Sequence, residues 1–71
     1  MTLREILKNI APSTYVKIDC KDGEALFYGQ VNVILYKYRL SEVMERKVYR
    51  NTVIWVADTF CTLSVCKRKQ R

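Results

Sequence analysis

Tyr36-Lys37-Tyr38-Arg39 is the run with the clearest chemistry in this 71-residue chain, and Arg46, Lys47, Tyr49 and Arg50 extend it. Tyrosine rings offer flat stacking faces, and Lys and Arg neutralise phosphates. Interleaving the two suits single-stranded nucleic acid, where stacking contributes about 1–3 kcal/mol per base. The same residue types make protein-interface hot spots, because Tyr and Arg combine large contact area with directed hydrogen bonds. A third reading is an amphipathic strand end, with tyrosines over the core and cations in water. The spacing does not choose among the three.

Charge is divided unevenly around this run. Residues 1–35 carry four basic and four acidic side chains, whereas residues 36–71 carry nine basic and three acidic, which accounts for the whole net charge of +6. The second half therefore reads as a surface for a negatively charged partner. Lys67, Arg68, Lys69 and Arg71 supply +4 of that charge in a terminal tail, suited to accelerating encounter with acidic partners.

Other constellations point away from catalysis. The chain has no histidine, so Ser13, Ser41 and Ser64 lack the base of a serine hydrolase. Three scattered cysteines without a CxxC do not make a zinc site. Cys61 and Cys66 are too far apart along one strand to pair, and an odd number is a poor disulfide framework. Buried thiols in a reducing compartment are the expectation. Asp19, Asp22 and Glu24 form the one carboxylate cluster, and turn chemistry explains them. No metal and no cofactor are expected.

The positioning elements follow from periodicity. Thr2 and Glu5 have capping-box spacing, and Leu3, Ile6, Leu7 and Ile10 lie on one helical face that Pro12 terminates. Residues 15–20 alternate, with Val16, Ile18 and Cys20 on one side. Lys21-Asp22-Gly23-Glu24 reads as a turn, and residues 25–35, rich in β-branched and aromatic types, as the returning strand. Gly29 inside it suggests a bulge or a close backbone approach. Ser41 caps a short helix over 42–47, with Val43 and Met44 inward. Residues 52–57 and 60–66 form a second hairpin about Asp58-Thr59. In it Cys61, Leu63 and Val65 share a face, and Trp55 packs in a central strand. Tyr15, Tyr28 and Trp55 on one open face would form an apolar patch for a partner or a second copy.

The predicted architecture is α+β in the order α-β-β-α-β-β: a four-stranded antiparallel sheet with the first helix on one face and a short helix between the hairpins. Residues 1–66 make one domain and 67–71 the basic tail. Seventy-one residues bury only about 60% of their unfolded surface, which favours presenting a surface over enclosing a cleft. No stretch approaches the roughly 20 apolar residues of a membrane span, and residues 1–5 do not open a signal peptide. A cytoplasmic protein is expected.

The pattern resembles a group of small phage and prophage proteins of Gram-positive bacteria. The likeness rests on Leu3-Arg4-Glu5-Ile6-Leu7, on Val16 and Ile18 in the first strand, on Asp22-Gly23, on Leu26-Phe27-Tyr28-Gly29 with Val31, and on the short helix and closing hairpin. Such relatives commonly carry an acidic or proline-containing segment after the second strand, where this chain has Val33-Ile34-Leu35 and the Tyr36 run. The resemblance implies a mobile-element origin, no catalytic residues, and action by binding and blocking host machinery such as a CRISPR nuclease. A small nucleic-acid-binding module is the alternative expectation. A homo-oligomer holding an anionic nucleotide between subunits is a weaker one.

Overall fold

Thr2 starts the first helix as its spacing predicts. In the computed structural model, which describes residues 1–66, the Glu5 amide donates to the Thr2 hydroxyl at 3.3 Å and the Thr2 amide donates to the Glu5 carboxylate at 2.9 Å. Helix α1 is Leu3–Lys8, with Leu3 and Leu7 fully buried. It stops short of Ile10 because Asn9 closes it, its side chain donating to the Glu5 carbonyl at 2.9 Å. Six residues do not hold a helix alone, so docking of this apolar face stabilises it.

Strands β1 (Tyr15–Cys20) and β2 (Ala25–Gln30) form the predicted first hairpin. Gly23 takes φ +98 in the turn, a conformation that glycine adopts without strain. The bulge lies between Ile18 and Asp19 rather than at Gly29, which instead takes φ +151 just before the chain changes direction.

That change corrects the predicted second strand, which ends at Gln30 and not at residue 35. Helix α2 (Val31–Lys37) follows immediately. Its first amides are held by the loop before β1: Val31 donates to the Thr14 carbonyl at 2.9 Å and Asn32 to that of Pro12 at 3.1 Å. Val31 and Ile34 are buried and Leu35 packs beside them, so the helical period wins over β-branched composition.

Ser41 caps the next segment as predicted, accepting from the Val43 amide at 3.2 Å, but the segment is a single 3₁₀ turn, Glu42–Glu45, and not a helix to residue 47. The chain leaves it extended because the N-terminal residues pair with it. Leu3 donates to the Arg46 carbonyl at 2.9 Å and Val48 to that of Met1 at 3.0 Å. A short 3₁₀ turn, Arg50–Thr52, leads to strands β3 (Ile54–Ala57) and β4 (Phe60–Val65).

The sheet order is β2-β1-β4-β3. The expectation of a wholly antiparallel sheet fails at its centre, where β1 and β4 run parallel from Tyr15 beside Phe60 to Cys20 beside Val65. The reason is burial. The two most cleanly alternating strands lie side by side, and the segment joining β2 to β3 crosses one face to put them there. Val16, Ile18, Cys61, Leu63 and Val65 pack under α1, α2, Met44 and Val48 on that covered face. Strand β3 is consequently an edge strand with all four residues exposed, so Trp55 is not the central, covered residue predicted. The three cysteines are buried and free, as expected.

Candidate interaction surfaces

Three exposed features stand out, and the first lies at the end of α2. Tyr36 is 73% exposed, with the Arg39 guanidinium 4.9 Å from its ring centre. Arg39 donates to the Tyr36 carbonyl at 2.7 Å, and Lys37 is exposed in the same last turn. Leu40, 91% exposed, follows. Cations at a helix C-terminus also complement its dipole. Arg4 fastens this end to the body: it donates to the Arg39 carbonyl at 2.8 Å and forms an ion pair with Glu45. Tyr38 departs from the prediction. It turns inward and stacks on Phe27, with ring centres 4.0 Å apart and planes 16° from parallel.

The remainder of the predicted set is separate and mostly engaged internally. Arg46 is bound by Glu42 at 2.5 Å and donates to the Cys66 carbonyl at 3.4 Å. The Glu42 hydrogen bond raises its pKa above the ordinary arginine value. Tyr49 is half-buried, with Lys21 4.5 Å above its ring, and a hydrogen bond with the Cys66 side chain pushes its phenol upward. Lys47 is exposed, but its backbone bridges to Thr2. Lys67, Arg68, Lys69 and Arg71, and the side chain of Arg50, lie outside the described residues.

The second feature is the open face of the sheet, opposite the helices. Strand registers lay it out in rows. Gln30, Tyr15, Phe60 and Ala57 form one row; Tyr28, Lys17, Thr62 and Ile54 form the next; Asp19 and Ser64 sit beyond. Tyr15 and Tyr28 share this face as predicted, their ring centres 6.3 Å apart. The third aromatic is Phe60, edge-on to Tyr28 at 6.1 Å. Trp55 is not there: it lies opposite buried Cys61 and points toward α1. Phe60 was legible from parity, since Cys61, Leu63 and Val65 are inward and even positions must face out.

Trp55 instead helps line the third feature, a groove of about 370 Å³ with Met1, Ile6, Asn9, Ile10 and Val53. No sequence signal marks it, because it forms only where the N-terminal residues run beside the sheet.

Burial pushes the Cys61 thiol up, away from the reactive thiolate. Asp22 accepts from the Glu24 amide at 3.1 Å, which is turn chemistry. Among the described residues no cluster of three or more His, Cys, Asp or Glu could hold a metal ion, and no helix is long and apolar enough to cross a membrane. Compared with known proteins, the chain matches no family model, no curated protein and no solved structure.

Proposed function

We propose that this chain is a non-enzymatic interaction protein that binds another protein and blocks it by occlusion, with the exposed end of α2 as the contact. The observation carrying this reading is the joint presentation of Tyr36, Lys37, Arg39 and Leu40 on one projecting helix end. Tyr and Arg are the residue types that dominate interface energetics, and a net charge of +6 steers encounter with an acidic surface. The phage-protein resemblance supplies the kind of partner: a host factor in the bacterial cytoplasm, a nucleic-acid-handling defence protein such as a CRISPR nuclease being the leading type.

The test is co-purification from a Gram-positive host, with and without nuclease, comparing the native chain with the Tyr36→Ala/Arg39→Ala double variant. A stoichiometric protein that survives nuclease with the native chain, and whose affinity falls at least tenfold with a folded double variant, supports the reading. Equal capture by both chains overturns it. Nucleic acid alone, lost on nuclease treatment or in high salt, moves the function to the nucleic-acid-binding alternative.

A further inference from the structure

Given the α2 end as the contact, on which this reading rests, we propose that it is a fork for one carboxylate. The free edge of the Arg39 guanidinium takes an aspartate or glutamate side chain of the partner protein, set beside an apolar residue that covers Tyr36. Arg39 is exposed and yet held in place. Its guanidinium lies 4.9 Å from the centre of the Tyr36 ring, and its Nη1 donates to the Tyr36 carbonyl at 2.7 Å. Its own carbonyl accepts from Arg4 Nη2 at 2.8 Å.

That arrangement leaves one edge open. The N–H donors of an arginine lie in one plane, and Nε and Nη2 make a parallel pair that matches the two oxygens of a carboxylate. Nη1 is the group that bonds to Tyr36, so the Nε–Nη2 edge has no hydrogen bond to the described residues. Stacking on a ring leaves the in-plane donors pointing outward. A fork fixed in this way loses little freedom on binding. The neighbouring acids are committed elsewhere: Glu45 pairs with Arg4, and Glu42 with Arg46. No acidic residue lies between Glu24 and Glu42 in the chain, and neither Lys37 nor Arg39 has an ion pair among the described residues. The matching acid therefore comes from a partner.

The surroundings favour a protein carboxylate over a nucleic-acid backbone. A single strand needs a run of stacking faces and cations along its path. Here that run is broken: Tyr38 is stacked on Phe27, and Arg46 is held by Glu42. What remains at this end, among the described residues, is one fork, one lysine and two exposed apolar surfaces, Tyr36 at 73% and Leu40 at 91%. An acidic side chain next to a leucine-like one fits that set. Lys37, 5.5 Å from the Tyr38 ring, adds attraction at longer range. As a point charge it adds no geometry.

NMR titration of the full chain at about pH 6, where glutamate is ionised, tests this at the Arg39 Nε–Hε signal. The probes are blocked Leu-Glu-Leu and Leu-Gln-Leu peptides and a single-stranded oligonucleotide. The expected result is a saturable shift at roughly millimolar Leu-Glu-Leu and none with Leu-Gln-Leu. Arg39→Lys keeps the charge and loses the fork, so it weakens Leu-Glu-Leu binding, read at the α2 backbone amides, by about tenfold. Tyr36→Ala weakens it as well. Absence of a shift overturns the proposal. So does an equal response to the two peptides, full binding by Arg39→Lys, or tighter binding of the oligonucleotide at Arg39. No host protein is present in the titration. The fork can therefore fail while a co-purified partner still binds the α2 end, or hold while co-purification captures nothing.

Discussion

The two faces of this sheet are built from the same strands and behave as different materials. In β4, Cys61, Leu63 and Val65 are essentially sealed from water, while Phe60, Thr62 and Ser64 between them are not. In β1 the same division separates Val16 and Ile18 from Tyr15 and Lys17. The covered face holds the layers together, since each apolar side chain on it meets α1, α2 or the segment that crosses between the hairpins. The open face has no such duty and can carry aromatic and charged groups without cost to the core. Fold and recognition are therefore interleaved residue by residue, and a shift of one position moves a substitution from one role to the other.

Substitution at adjacent positions breaks the comparison most sharply. Leu63→Ala, at a site 1% exposed, leaves a cavity in the covered face and costs about 2–5 kcal/mol in urea denaturation. Thr62→Ala, one residue away on the open face, stays within about 0.5 kcal/mol. Equal losses would mean that the open face is packed too. The next largest effect separates the two tyrosines of the α2 end. Tyr38→Ala removes the ring stacked on Phe27 and costs on the order of 2 kcal/mol. Tyr36→Ala leaves stability unchanged and acts only on partner affinity. A smaller effect lies at the start of α1, where Thr2→Ala loses the cap and about 1 kcal/mol.

The acid dependence of that cap is smaller still. The backbone amide of Thr2, then its hydroxyl, holds the Glu5 carboxyl below its ordinary value. A lowered folded-state pKa gives stability that is present above the ordinary glutamate pKa and lost as pH falls through the depressed one. Glu5→Gln should therefore lower neutral melts slightly, leave the most acid melts nearly unchanged, and so flatten the acid limb of a thermal-melt series. An identical acid limb in both chains would show that another carboxyl carries it.

Much of the covered face was legible in the sequence, because it rests on local signals. The Thr2 cap, the alternation of β1 and β4, the Asp22-Gly23 turn and the Ser41 cap all hold. Val31 to Leu35 did not read correctly, since β-branched residues at that spacing fit a strand and a helix alike, and the choice falls to packing against the loop at Pro12 and Thr14. That single misreading also blurred the candidate site. On a strand, Tyr36 and Tyr38 share a side; on a helix, Tyr38 follows Val31 and Ile34 inward while Tyr36 turns away. Sheet order was illegible for a different reason. It depends on pairing between β1 and β4, which are separated by most of the chain, and that pairing put Trp55 on an edge.

Strand β4 follows every other described element in the chain, yet it sits between β1 and β3. A growing polypeptide can close its first hairpin early, but the inner edge of β1 stays unpaired until β4 has been made and inserted beside it. The pairing that completes the sheet is thus the strand pairing of greatest sequence separation, which slows folding and keeps apolar surface exposed in the meantime. Assembly of this small domain thus waits on the last described strand: a chain cut before Phe60 lacks the β1–β4 pairing at the centre of its sheet.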